Sequence, residues 1–284
     1  MRNPLVAMAL AGCVLPLCAQ PTPPPPVLQI TRETIKEGKG AAHRRTEQDY
    51  ANAFRKNKSP YNYIALTTES GSNEVWFASA YASFAALEES DKLSGKAPLK
   101  NDIELVEARD GELRASSRTM TAVLRMDMSY LPPNGVTIGK TRYVMIETFR
   151  VRLGHDDEFQ VGAKMFTDAY RKANSQSPVF MYSLIAGAPE GTYLVVQPLA
   201  SLKELDDEPA RMKAVVDAMG AANFGRLMKS EGDVFQAMES TLFAVSPEMS
   251  YASKAIEDED PGFWRPKASS APAKSKESTP KTGQ

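Results

Sequence analysis

Short matches recur along this chain in a fixed order, and they constrain its fold more than any other feature. Glu33-Thr34 returns as Glu147-Thr148 and Gly40 as Gly154, each 114 residues on. Ala53-Phe54-Arg55-Lys56 returns as Ala169-Tyr170-Arg171-Lys172 at 116. Ser59-Pro60, Leu66 and Ala82-Ser83 return as Ser177-Pro178, Leu184 and Ala200-Ser201 at 118. Asp110-Gly111-Glu112 with Glu231-Gly232-Asp233, and Met128-Ser129-Tyr130 with Met249-Ser250-Tyr251, stand 121 apart. The offset grows in small steps, as short loop insertions produce. The ordered series, more than any single match, argues for a duplication. Its period far exceeds the roughly 20–50 residues of a solenoid repeat, so the unit is a domain, present twice. A chain of 284 residues accommodates two such units.

The first unit spans 27–135. Val27–Glu37 reads as a strand, with Leu28 and Ile30 alternating with polar neighbours. Ala41–Lys56 reads as a helix with Tyr50, Ala53 and Phe54 on one stripe, broken by Ser59-Pro60. Tyr61–Thr67 and Glu74–Ala80 read as strands around a turn, and Ser83 caps a short helix. A closing strand completes a split βαβ, ferredoxin-like unit. Residues 99–124 read as helical with a break at Gly111, which leaves Met126–Tyr130 as that strand. Leu131–Gly139 links the units. The second unit, 141–256, repeats the order. It has a strand at Tyr143–Arg152 and an acidic helix opening at Asp156-Asp157-Glu158 that suits the helix dipole. Its helix carries Phe159, Met165, Phe166, Ala169 and Tyr170, and strands follow at Val179–Ala186 and Thr192–Leu199. Ser201 and Glu204 form a capping box, and a long helical region is expected from Pro209 to about Leu242.

The two ends read differently. Residues 1–19 have the charge and apolar run of a secretory signal, cut before Gln20. Leu10-Ala11-Gly12-Cys13 offers the competing reading of a lipid anchor at Cys13. Residues 20–26 are a proline-rich spacer. Residues 257–284, acidic and then rich in Pro, Ser, Lys and Ala, are expected to be a disordered tail. In that tail Phe263-Trp264 is an apolar island, read either as docking on the fold or as a partner-binding motif. The expectation is a secreted or periplasmic protein without a membrane span. Simple cleavage leaves no cysteine for a disulfide or a thiol nucleophile. A net charge of −1 argues against a nucleic-acid partner.

Val151-Arg152-Leu153-Gly154-His155-Asp156-Asp157-Glu158-Phe159, with the strand exits Tyr81-Ala82-Ser83 and Leu199-Ala200-Ser201, resembles the antibiotic-biosynthesis-monooxygenase-like group of dimeric α+β barrels, NIPSNAP-type proteins included. The resemblance covers about 28–90 and 142–208. It implies an α+β fold in which tandem ferredoxin-like repeats close one intramolecular barrel, here with added long helices. It also implies two activities to weigh, cofactor-independent oxygenation and haem handling.

For chemistry, Glu33 and Glu147 occupy matched positions on the first strands and are the candidate catalytic groups. Glu147 shares a strand face with Met145, Phe149 and Val151, and a carboxyl on an apolar face is read as a raised-pKa acid or base, as a partner of Arg or Lys, or as a group at a wet sheet edge. His43 and His155, the only histidines, sit at first-helix starts. They are candidate ligand-binding residues, with solvated side chains as the alternative. Without a carboxylate cluster at ligand spacing they make no zinc site, so no metal is expected. Tyr63, Trp76, Met181 and Tyr193 lie on strands as cleft lining or as core. There is no nucleophile elbow, phosphate loop or dinucleotide fingerprint. Three readings follow: a binder of a small apolar or aromatic molecule in the barrel cleft, a cofactor-free oxygenase or haem enzyme using these residues, and an assembly module. The expected state is a pseudo-dimeric monomer or a weak homo-oligomer.

Overall fold

A computed structural model describes residues 23–265; the expected signal segment and the end of the tail lie outside the described residues. Each half runs strand, helix, two strands, helices, strand. The first half comprises β1 (Val27–Ile35), α1 (Gly40–Lys56), β2 (Tyr63–Thr68), β3 (Glu74–Tyr81), α2 (Phe84–Ser94), α3 (Leu99–Asp110) and β4 (Arg114–Leu124). The second comprises β5 (Tyr143–Val151), α4 (Asp156–Lys172), β6 (Phe180–Ala186), β7 (Thr192–Leu199), α5 (Glu208–Met219), α6 (Ala221–Val234) and β8 (Phe235–Tyr251). The eight strands close an antiparallel barrel in the order β1-β3-β2-β8-β5-β7-β6-β4. Two seams join the halves: β2 on β8, and β4 on β6.

The closing strands differ from the sequence expectation. The first is Arg114–Leu124, and Met126–Met128 is only a 3₁₀ turn. Four polar residues within Arg114–Arg118 mask the strand's alternation, which emerges only where Met120 and Ala122 face the core. The second occupies Phe235–Tyr251, where a helix was expected as far as Leu242. Phe235, Met238 and Leu242 have helical spacing, but this segment must pair with β5 on one side and β2 on the other. Tertiary pairing overrides the local pattern.

Register corrects the repeat itself. Val27 faces Tyr81 and Val123, while Tyr143 faces Leu199 and Ala244. Val27 therefore corresponds to Tyr143, an offset of 116. Glu33, paired with Val75 and Ser117, occupies the place of Phe149, paired with Tyr193 and Met238. The counterpart of Glu147 is Thr31, so the two glutamates are not equivalent. The sequence match slipped by two, which leaves every side chain on its proper face because the strand period is two. Left-handed Gly38 (φ 72°) and Gly154 (φ 87°) obey the same offset of 116.

The recurring Met-Ser-Tyr has a structural purpose. Tyr130, at the end of the first half, donates from its hydroxyl to the Ser175 carbonyl at 2.6 Å in the second half. Tyr251 returns the favour to the Ser59 carbonyl at 2.8 Å. Ser129 Oγ accepts from Met181 N, and Ser250 Oγ from Ala65 N, both at 2.9 Å. The halves thus latch each other symmetrically.

The barrel interior is filled. Ile30, Leu66, Trp76, Tyr182, Leu194 and Phe243 are buried in one cluster, with Trp76 and Phe243 ring centroids 5.0 Å apart. At one end Arg32 holds Glu74 through two bonds of 2.6 and 2.8 Å, and Trp76 Nε1 donates to the same carboxylate at 3.0 Å. The expected disordered tail is folded as far as Arg265. Helices α7 (Lys254–Glu259) and α8 (Pro261–Trp264) dock on the barrel, and buried Trp264 joins its core and donates to the Gly139 carbonyl at 2.7 Å. This apolar island contributes more burial than ordering the segment costs. Among the described residues no helix is long and apolar enough to cross a membrane.

Candidate functional site

With the barrel interior packed, the space for chemistry lies outside it, between the outer sheet face and the helices of each half. The two halves fill that space in opposite ways.

In the second half the floor is β5, β6 and β7 and the roof is α4, α5 and α6. Residue spacing on α4 turns Phe159, Gly162, Phe166 and Tyr170 toward the sheet. They leave a cavity of about 300 Å³, walled also by Met145, Met181, Met212 and Leu227. That volume is at the lower end for small-molecule sites. Glu147, Glu158, Glu208 and Glu231 supply the carboxyl groups of its lining. Glu208 is paired with Arg211 on its own helix. Glu147 has no hydrogen-bond partner among the described residues. Burial, then the nearby Glu208 charge, raises its pKa above the ordinary carboxyl value. Burial, with help from Glu208 and Glu147, pushes the Tyr170 hydroxyl up to about 12.

In the first half the same space is polar and closed. His43 of α1 is 1% exposed, and its Nε2 lies 3.0 Å from Glu33 Oε2, 3.6 Å from Glu47 Oε1 and 3.7 Å from Asp110 Oδ1. Thr46 donates to Asp110 at 2.6 Å. Arg114 of β4 covers the group, pairing with Glu33, with Asp110 at 3.0 Å and with Glu107. The Glu47 carboxyl is pushed well up, by burial first and then by Asp110 and Glu33. The register equates Glu33, His43, Glu47 and Arg114 with Phe149, Phe159, Ala163 and Phe235. In the second half those three phenylalanines stack with centroids 5.2–6.1 Å apart.

The residues singled out from sequence therefore scatter. Met181 and Glu147 line the cavity. Tyr193 lies behind it, its ring 4.5 Å from Phe159 and its hydroxyl donating to Asp156 at 3.2 Å. Trp76 is barrel core, and Tyr63 packs under α1 between Phe54 and Phe77; neither lines a cleft. His155 caps α4 at the surface, bonded to Glu158. His43, instead of being solvated in a first turn, is sealed among carboxylates. The premise that no carboxylate cluster accompanies a histidine is overturned, because Glu33, Glu47 and Asp110 come together from β1, α1 and α3. The barrel interior, where a ligand cleft is expected from sequence, is packed, and the cavity lies instead between sheet and helices. Neither histidine offers an axial ligand to the cavity, so the histidine-bound haem implied by the resemblance does not fit there, and no step is derived through it.

Sequence reasoning passed over Glu47, Asp110 and Arg114. Glu47 is four residues from His43, on one helix face, but that spacing is common on solvated helices.

No family model matches the chain, and no curated protein matches it. Solved structures do. A putative monooxygenase from Fusobacterium nucleatum subsp. nucleatum superposes with a TM-score of 0.52 at 10% identity, over 78% of this chain and 93% of that one. A mutant chlorite dismutase from Candidatus Nitrospira defluvii superposes at 0.50 and 8%, over 83% and 96%. At such identities the likeness establishes the fold, an α+β barrel of ferredoxin-like halves shared with these proteins.

Proposed function

We propose that the protein binds a small, mainly apolar, aromatic molecule in the second-half cavity, with Glu147 as its polar handle. One observation carries this: a half-buried carboxyl group on an apolar cavity wall has no hydrogen-bond partner among the described residues. Such a group gains a partner when a ligand hydroxyl or carbonyl reaches it. The methionines on the wall suit a ligand of irregular apolar shape.

The same carboxyl supports a second reading. A base with a raised pKa, set against an apolar pocket, is placed to take the proton of a phenol or quinol. That is the protein's part in cofactor-independent oxygenation, where the electron-rich substrate anion itself reacts with oxygen.

Native and denaturing mass spectra of the isolated chain test the first reading, together with melting curves in the presence of phenols, naphthols and quinols. Retention of a small molecule that is lost on denaturation, or stabilisation by one of these compounds, is the expected result. A bare chain that no compound stabilises refutes binding. Oxygen uptake with a bound phenol, reduced in Glu147→Gln, distinguishes catalysis from binding alone.

A further inference from the structure

We propose that the buried first-half cluster of Glu33, His43, Glu47 and Asp110 is a closed binding site for a first-row transition dication such as Mn(II), Fe(II) or Zn(II). This site is separate from the apolar cavity and does not depend on the function proposed for it.

The geometry comes first. One ligand atom from each of the four residues lies within 4.8 Å of all the others. Bonds of about 2.0–2.2 Å to nitrogen and carboxylate oxygen place ligand atoms roughly 3–4 Å apart, which is the spacing of His43 Nε2 from the three carboxylates. Three elements supply the ligands: β1 gives Glu33, α1 gives His43 and Glu47 one helical turn apart, and α3 gives Asp110 at its last residue.

The second observation is unmet bonding capacity. Glu47, 6% exposed at its side chain, accepts no hydrogen bond among the described residues; its nearest donor, His43 Nε2, is at 3.6 Å, beyond hydrogen-bond range. Asp110 is fully buried. Its Oδ2 is 3.0 Å from Arg114 Nε but is left without a well-directed hydrogen bond. A buried carboxylate short of donors is costly, and a cation at the centre meets that of Glu47 and adds to the single Thr46 bond of Asp110 Oδ1.

Charge agrees. The three buried carboxylates have one guanidinium, that of Arg114, which also pairs with the more exposed Glu107, so the group carries excess negative charge that a dication offsets. The fold does not need polar groups in this space, since the second half fills it with Phe149, Phe159 and Ala163. A polar cluster where the same architecture packs hydrocarbon marks a function. The donor set chooses the metal class. Imidazole disfavours calcium, and magnesium gives up its water reluctantly. Arg114, Tyr50 and Glu107 close the outer side through mutual bonds, so the site is structural, with no position open to substrate.

The full chain, stripped with chelator and desalted, is titrated with Mn(II), Zn(II), Ca(II) and Mg(II). Metal content is measured by mass spectrometry and stability by thermal melting. About one equivalent of Mn(II) or Zn(II) per chain is expected. Free ion at about a hundred times its dissociation constant should raise the melting temperature by roughly 5–10 °C. Both effects should vanish in His43→Gln and in the near-isosteric Glu47→Gln, with folding of each checked by circular dichroism. No retained metal in the parent overturns the site in favour of a cluster held by Arg114 and a shared proton. Metal retained equally by both variants overturns it in favour of binding elsewhere.

Discussion

Glu147→Gln separates a half-buried carboxyl without a partner from one that is paired. The parent group has a raised pKa, through burial first and Glu208 second. The sign follows from linkage. A raised folded-state pKa means the folded protein holds this proton more tightly than the unfolded chain does. Its stabilising contribution is full below the unfolded glutamate value of about 4.3 and is lost as pH rises through the folded value. Glutamine keeps the shape and has no proton to lose. Parent and variant should therefore match in stability near pH 4, apart from a constant offset. As pH rises the variant gains, by at most about 1.4 kcal/mol per pH unit, until the folded carboxyl has ionised. For a folded region of this size that ceiling is roughly 3–6 °C in Tm per unit. The slope stays under the ceiling because the Glu147 side chain keeps partial contact with water. Differential scanning fluorimetry from pH 4 to 8 reads the curve, and its upper plateau reports the folded pKa. A parent-minus-variant difference that is flat over this range refutes the reasoning, because it shows Glu147 ionising in the fold as readily as in water. The same titration with a stabilising phenol bound reports whether the ligand meets the carboxyl.

The reciprocal tyrosine latches give a test of the two-half architecture. Tyr130→Phe removes a 2.6 Å bond to Ser175 from a buried site and should cost about 1–2 kcal/mol; Tyr251→Phe, more exposed, should cost about half that. The sites lie on opposite seams, so chemical denaturation of the double variant should give the sum within about 0.5 kcal/mol; a larger discrepancy shows that the seams open together. Gly187→Ala strikes the β4–β6 seam directly. Gly187 has φ +77°, and a Cβ there would sit 2.1 Å from the Thr119 carbonyl oxygen. A loss of roughly 2–5 kcal/mol in urea denaturation is expected, and an unchanged midpoint would show that this close approach is absent in solution.

Much of the fold was legible in the chain. Alternating strands, the Gly38 and Gly154 turns and the α4 apolar stripe are written in nearest-neighbour chemistry, so β1, α1, β2 and β3 and their second-half counterparts could be read directly. The recurring Met-Ser-Tyr flagged a feature whose meaning, a latch between halves, needed coordinates. The closing strands were misread because their polar stretch and accidental helical spacing say less than the backbone partners waiting on either side. The repeat was found two residues out of register in β1, since Glu-Thr matched Glu-Thr. Only the ladder, pairing Glu33 with Val75 and Glu147 with Val195, could set it right.

The sequence by itself determined that two ferredoxin-like units follow one another and which strand faces are apolar, because periodicity is a local property of the chain. Tertiary structure alone decided where the chemistry lies. It packed the barrel and left a cavity beneath α4. It also drew Glu33, His43, Glu47 and Asp110 into one buried group from positions as far as 77 residues apart. Proximity across a closed sheet depends on register and on which helix covers which face, and neither is set by the residues adjacent in sequence.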